Sequence, residues 1–386
     1  MSHELPTLFV LAGSRQLGGA EKSLAALLPE LTRRARILVF VTNAATEAEF
    51  QRLNLPNLEL APMHVGLKPW ELLHNLYRLW KLARERRPAA ILANAHRGSL
   101  LLALYRLLPF ASKLPLAVYV RDFDYHTLKH TLWLMRDVLF LAPTQAVFDD
   151  ARYRSWGLHR HRHVVLANAV PSLECDTTPD PAQPRTIGCC ARIVPWKGID
   201  YLLRAFALLA AKQPQARLRI HGEPVDPAYF VSLQQLANDL GIAEQVEFCD
   251  FARDMGAVFR QGLFFIVPSL SQVPGPETFC RIIIEAWAHE RPVIAFACGG
   301  PRWLIEDGRD GFLVEERNIE QLAARMETLY VDPALTRRMG LAGAEKVQAQ
   351  FAPAALANQL LDLLIPVQID TAAVKTAALA PTTSHG

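Results

Sequence analysis

The sequence predicts an α/β protein built from two doubly wound parallel sheets. Three observations carry that expectation. Short apolar runs alternate with amphipathic helical patterns over most of the chain, as strand–helix–strand units require. A polar, proline-rich stretch at 172–185 divides the alternation into two series. The 386 residues, 51% of them apolar, suffice for two domains with separate cores.

In the first series, apolar runs at 8–12, 37–41, 89–94, 116–120, 138–142 and 164–167 read as buried strands. Helical patterns at 21–35, 69–86 and 97–108 lie between them. The second series places strands at 187–191, 217–221, 246–248, 263–267, 293–296 and 312–314. Its helices are expected at 199–211, 227–240, 282–287, 319–331 and 333–350, with a last one at 351–364. The predicted organisation is therefore a first domain at 1–171, a linker at 172–185 and a second domain at 186–350. Residues 366–386, rich in Ala and Thr, read as a disordered tail.

Composition narrows the function classes. No stretch approaches 18 uninterrupted apolar residues, and the richest, 131–141, is broken by Arg136 and Asp137, so no membrane span is expected. Residues 7–12 lack a basic leader and read as a first strand, not a signal peptide. The six cysteines, at 175, 189, 190, 249, 280 and 298, have neither metal nor redox spacing. No aspartate pair has metal spacing either, so the reading requires no metal and no cofactor, and reduced thiols point to the cytoplasm. Cys189 and Cys190, adjacent on a strand, should face opposite sides.

Charge is unevenly placed. Residues 1–174 hold 22 Lys/Arg against 14 Asp/Glu, a surplus of eight cations, and the remainder 19 against 24, a deficit of five. A first half of this kind suits an anionic partner. On the 69–86 helix, Arg78, Leu79, Trp80 and Leu82 sit beside the cluster Arg84, Arg86 and Arg87. That pattern fits either a membrane-surface element at the inner face of the membrane or a solvated face whose Trp80 packs in the core. No nucleic-acid-binding fold or stacking motif accompanies the charge, so nucleic acid is not expected.

The candidate site lies in the second series. Glu277 and Glu285 stand eight residues apart between two apolar strands. Glu277 falls in the loop at a strand's carboxyl end, where open α/β sheets bind ligands, and Glu285 falls inside the next helix. Ionised carboxylates so placed can each accept hydrogen bonds from neighbouring hydroxyls of a polyhydroxylated ligand. Arg192 and Lys197 flank another strand-to-helix loop, where a guanidinium and an ammonium could neutralise a diphosphate. Gly299 and Gly300 follow a strand directly and would let backbone N–H groups approach phosphate.

Taken together and in order, these motifs resemble the retaining glycosyltransferases of family 4, over about residues 7–365. The residues that carry the resemblance are Gly18-Gly19-Ala20-Glu21, the 165–171 segment, Arg192 with Lys197-Gly198, Pro268-Ser269, Glu277 with Glu285-Ala286, Pro292-Val293-Ile294, Gly299-Gly300 and 306–314. The resemblance implies the GT-B fold: two Rossmann-like domains facing across a cleft, with the final helix crossing back to the first. It implies a nucleotide-diphosphate sugar donor, UDP- or GDP-linked, on the second domain and a glycan or lipid-linked acceptor on the first. Cell-envelope polysaccharide or lipopolysaccharide synthesis is the associated setting. Arg192 and Lys197 would bind the diphosphate, Glu285 the ribose and Glu277 the transferred sugar. Backbone amides of Thr278, Phe279 and Cys280 would seat the sugar and phosphate, and Gly18 and Gly19 would approach the phosphate from the other domain. Retention would follow from front-side attack, in which the leaving phosphate takes the acceptor proton.

The chain departs from the family pattern at several positions. A histidine common at the end of the fourth strand is replaced by the Arg121-Asp122 pair, which either takes its place near the sugar or forms a surface ion pair. Cys280 stands where glycine is usual and would restrict the backbone there, and Glu290 replaces another common glycine as an expected surface change. Trp303 replaces a common glutamate and, with Arg302, is expected to reshape the sugar or base pocket. Two other readings share the cleft: a sugar-nucleotide epimerase and a non-catalytic nucleotide-sugar-binding relative.

Overall fold

The computed structural model describes residues 4–14, 17–64, 68–108, 111, 114–123, 127–170, 186–250, 254–272 and 277–365. The expected linker at 172–185 and tail at 366–386 lie outside these residues. The first sheet contains β1 (Thr7–Ala12), β2 (Arg36–Val41), β3 (Leu58–Pro62), β4 (Ala90–Ala93), β5 (Leu116–Tyr119), β6 (Leu139–Ala142) and β7 (His163–Val165). Its order is β3-β2-β1-β4-β5-β6-β7, parallel throughout. The second contains β8 (Thr186–Cys190), β9 (Arg217–His221), β10 (Val246–Cys249), β11 (Gly262–Val267), β12 (Val293–Phe296) and β13 (Gly311–Val314). Its order is β10-β9-β8-β11-β12-β13, again parallel.

Both sheets are covered on two faces, as the unbroken apolar runs require. On one face of the first sheet, helices Gly19–Arg34 and Pro353–Leu364 pack together through Leu24, Leu28, Leu356 and Leu360. Arg34 on the former donates to Asn358 on the latter at 2.7 Å. The last helix therefore returns to the first sheet. Helices Pro69–Arg86 and His96–Arg106 cover the opposite face. In the second sheet, helices Ile199–Lys212 and Ile319–Val331 cover one face, and helix Arg281–Ala288 covers the other with its Trp287. Cys189 packs on the first of these faces and Cys190 on the second, the alternation a strand imposes.

Among the elements absent from the sequence reading were helix Ala44–Arg52, the short helices Gln145–Asp149, Ala151–Ser155 and Met255–Gln261, and β3. β3 is an edge strand with only Ala61 buried and a proline at its end, so it lacks the apolar run that marks the interior strands.

The strand orders set the site. In the first sheet the order reverses between β1 and β4, and in the second between β8 and β11. At such switch points the loops leaving the carboxyl ends diverge and leave a crevice.

One expected surface change is a backbone matter instead. Glu290 has φ +58°, a left-handed conformation that glycine adopts freely and other residues adopt at a cost. Glu290→Gly should therefore raise unfolding stability by about 1 kcal/mol, net of the added chain entropy. Urea denaturation of both proteins checks this; an unchanged or lowered midpoint would contradict it.

Candidate functional site

Loops at the carboxyl ends of the two sheets line a hollow of about 470 Å³. The first domain contributes Gly19, Ala20, Arg121, Asp122, Phe123 and Asn168 to its wall. The second contributes Arg192, Trp196 and the run Glu277 to Arg281. Arg192 and Glu277, from separate stretches of the second domain, thus line one hollow.

Lys197 is brought beside them by local geometry. A short 3-10 turn, Pro195–Lys197, follows β8, and Gly198 closes it at φ +64°. A Cβ at Gly198 would collide with the Pro268 carbonyl oxygen after β11, so only glycine permits the two loops to close. Trp196 O then accepts from Leu270 N at 2.8 Å. The Lys197 ammonium bonds the Glu277 carboxylate, with both side chains 14% exposed, and lies 4.2 Å from the Trp196 ring centroid. Ser269 Oγ donates a further hydrogen bond to Glu277 Oε1 at 3.1 Å. Glu277 is thereby fixed in one orientation while its second oxygen has no partner among the described residues.

Gly299 and Gly300 serve a different purpose from the expected one. Neither lines the hollow. The Gly300 N–H donates to the Glu277 carbonyl at 2.6 Å, and a Cβ at Gly300 would stand 2.6 Å from the Phe279 Cα and N. The glycine lets its loop press against the back of the Glu277–Cys280 loop. Gly18 is also engaged: as the cap of helix Gly19–Arg34, its N–H donates to buried Glu21 Oε2 at 3.1 Å. Gly19, at the first helical position, is the member of that pair that reaches the hollow.

Thr278 bridges the domains. Its hydroxyl donates to the Arg121 carbonyl at 2.6 Å, and its own carbonyl accepts from Thr144 Oγ1 at 2.6 Å. Phe279 is buried under the loop against Phe351. Cys280 does occupy a glycine-like conformation, with φ +70°, and burial pushes its thiol pKa well above the ordinary value. The cysteine is thus held in a region that glycine favours, and the residue forms part of the wall.

Arg121 is not a surface residue. The residue is 7% exposed, and its guanidinium lies 3.6 Å from the Tyr119 ring centroid and donates to Asn94 Oδ1 at 3.1 Å and to Asn168 Oδ1. Burial lowers its pKa from the ordinary guanidinium value. Asp122 is exposed at the hollow, and its carbonyl accepts from Tyr153 at 3.1 Å. The surface ion-pair reading fails for Arg121 because it is buried against Tyr119 and the loops after β4 and β7.

Glu285 does not line the hollow. Its Oε1 accepts from Arg281 Nε and Nη2 at 3.0 and 2.8 Å, one helical turn earlier. Arg281 also donates to Ala169 O of the first domain at 3.3 Å and does line the hollow. The sequence reading passed over Arg281, although an Arg–Glu pair at i,i+4 on a helix is a readable signal. Asn94 and Asn168 carried no such signal, since each acts only through Arg121. Arg302 and Trp303 are exposed and contribute nothing to the wall, so they do not reshape it. Among the described residues, no group of three or more His, Cys, Asp or Glu could hold a metal ion.

Two substitutions test this frame. Gly300→Ala should displace the Glu277–Cys280 loop and cost about 1–3 kcal/mol of stability, as overpacking does. Thr278→Val keeps the shape but leaves the Arg121 carbonyl unpaired, and should cost about 1–3 kcal/mol. Chemical denaturation measures both, and wild-type midpoints would refute the clamping of this loop.

Comparison with known proteins agrees with the geometry. Residues 184–332 match the family model described as glycosyl transferases group 1. An uncharacterized glycosyltransferase of Haemophilus influenzae is 31% identical over 156 residues, 40% of this chain and 42% of that protein. LpsE of Rhizobium meliloti, a lipopolysaccharide core biosynthesis glycosyltransferase, is 29% identical over 196 residues, 51% of this chain and 53% of its own. The chain thus spans about half the length of these relatives. Among solved structures, Anabaena HepE in complex with UDP and glucose superposes with a TM-score of 0.75 at 22% identity, covering 94% of this chain and all of that one. A Rickettsia africae glycosyltransferase superposes at 0.79 and 17% identity, covering 95% and 100%. These superpositions establish the GT-B fold over nearly the whole chain.

Proposed function

We propose that this chain, whose residues 184–332 form a glycosyl transferases group 1 domain in a GT-B fold, is a retaining glycosyltransferase. It moves a sugar from a nucleotide-diphosphate donor to a glycan or lipid-linked acceptor, in cell-envelope polysaccharide or lipopolysaccharide synthesis. The observation that carries this reading is the convergence of Arg192 and Glu277, with Lys197 behind them, on one hollow between the two sheets. The charged side chains on its wall are Arg121, Arg192 and Arg281 against Asp122 and Glu277, a cationic balance that suits a diphosphate.

The donor's diphosphate would meet Arg192 and Lys197. An ammonium has three N–H donors, so Lys197 can hold Glu277 and still reach a phosphate oxygen. As the sugar–phosphate bond breaks, negative charge grows on the leaving diphosphate, and fixed cations stabilise that charge more than they stabilise the bound donor. The second Glu277 oxygen would accept from the transferred sugar's hydroxyls and orient it. Glu285 would take ribose hydroxyls only after loosening its hold on Arg281, which then joins the cationic wall. HepE binds UDP and glucose, and LpsE acts in lipopolysaccharide core synthesis, which supports a nucleotide-linked donor and an envelope acceptor here. The basic first half suits an anionic acceptor.

A thermal-shift screen of UDP- and GDP-sugars tests donor binding, because a ligand at 100 times its Kd stabilises the native state by about 2.7 kcal/mol. Glu277→Ala should abolish turnover while largely sparing the nucleotide-induced shift, and Lys197→Ala should weaken both. Wild-type turnover in both variants would overturn the assignment. Isomerised donor formed without any acceptor, followed by NMR, would favour the epimerase instead.

A further inference from the structure

We infer, on the donor reading above, that Arg281 gates the carboxylate of Glu285 and makes nucleoside binding depend on an accompanying diphosphate. Arg281 opens helix Arg281–Ala288, and Glu285 follows one turn later. Two Arg281 donors, Nε and Nη2, go to the same oxygen, Oε1, at 3.0 and 2.8 Å. The two side chains are only 13% and 20% exposed, so solvent screens this pair less than one on the open surface. A ribose presents two neighbouring hydroxyls, which a carboxylate receives best with one oxygen each. With Oε1 occupied twice, Glu285 offers them a single oxygen. The ion pair is therefore a closed state of the ribose site.

Arg281 is placed to take a second partner. It lines the hollow, and its Nη1 reaches the Ala169 carbonyl of the first domain at 3.3 Å. A Cβ at Gly19 would stand 3.3 Å from Arg281 Cδ, so the glycine leaves room for this side chain at the domain boundary. On that side the guanidinium meets like charge. Gly19 begins helix Gly19–Arg34, which presents its positive end to the hollow. Arg121, whose pKa burial lowers, is lowered further by the Arg281 charge. Among the described residues, Glu285 is the one anionic partner of Arg281.

A diphosphate in the hollow supplies another anion, with more charge, and lies between cations that otherwise repel one another. The guanidinium then turns from Glu285 to phosphate, and both Glu285 oxygens come free for the ribose. A nucleoside alone cannot force that exchange. Its neutral hydroxyls make weaker hydrogen bonds than the charged pair they would have to break. Nucleoside and diphosphate thus bind with positive coupling through one side chain, and the site rejects nucleosides that carry no phosphate.

The test is a ligand-observed NMR titration of the full chain with uridine and guanosine, each alone and with saturating inorganic pyrophosphate, and with UDP and GDP. In the parent, pyrophosphate should tighten the nucleoside whose diphosphate binds by at least about fivefold, the lower end of ordinary coupling between sites. Arg281→Met keeps the aliphatic bulk and removes the charge. In that variant the nucleoside alone should bind at least about fivefold tighter than in the parent, because the closed state is gone. The diphosphate should bind about tenfold weaker, having lost a charged hydrogen-bond donor, and the pyrophosphate effect should vanish. Arg281→Lys, which lacks the planar fork, should lie between the two. A pair that only braces the helix would weaken nucleoside and diphosphate alike on substitution; that result overturns the gate and leaves the donor reading standing. So does a parent whose nucleoside binding pyrophosphate leaves unchanged or weakens, a measurement that needs no variant to fold. A parent that binds neither UDP nor GDP overturns the donor reading, and the gate with it.

Discussion

The need to pair every buried backbone polar group holds this site together at one short loop. Residues Glu277 to Cys280 are gripped from three directions. Gly300 N–H takes the Glu277 carbonyl from behind, and Thr144 Oγ1 takes the Thr278 carbonyl from the other domain. The Thr278 hydroxyl in turn satisfies the Arg121 carbonyl. With its backbone fixed, the loop can present the Glu277 carboxylate to Lys197 and Ser269 and still leave an oxygen toward the hollow. The same bonds tie the loop after β11 to the carboxyl ends of β5 and β6, so site geometry and domain contact are one set of interactions.

Electrostatics around the loop is arranged in depth. Arg121 is buried among Tyr119, Asn94 and Asn168, where two amide oxygens take its donors and the ring takes its face. It acts as part of the frame and lends the hollow a fixed positive charge. Arg192 is exposed and free of that frame, while Lys197 is held by Glu277. Arg281 lies between, tied to Glu285 on its own helix and to Ala169 across the cleft. Under the proposed reading, a donor arrives at cations that are already positioned, and only the Arg281–Glu285 pair has to rearrange.

Two positions where the sequence pattern suggested glycine carry side chains in a backbone region that glycine favours. Cys280 and Glu290 stand where glycine is common, and both keep left-handed φ angles of +70° and +58°. Surrounding packing imposes those angles: Phe279 is wedged under Gly300, and the Glu290 carbonyl abuts Gly340. Strain of this kind persists only where neighbours over-determine the chain. The helix at 69–86 gives the complementary case, where the amphipathic pattern was readable but the face that meets solvent was not: Leu79 is buried and Trp80 packs on the core, while Trp70, Leu73 and Tyr77 are exposed. Helical periodicity fixes which residues share a stripe; which stripe is covered depends on the sheet and the helix beside it.

The sequence alone determined the alternation of buried strands and helices, because a strand covered on both faces must be apolar at every position. It also put Glu277 and the cations at 192 and 197 on loops at strand carboxyl ends, which parallel strands bring to one end of a sheet. The edge strand β3 escaped it, because a half-exposed strand has no such run. Tertiary structure alone decided that Gly300 is a spacer for the loop, that Arg121 is interior, and that Arg281 joins the wall. Those roles depend on contacts between segments up to 157 residues apart, and local spacing carries no record of what will be pressed against a side chain from the other domain.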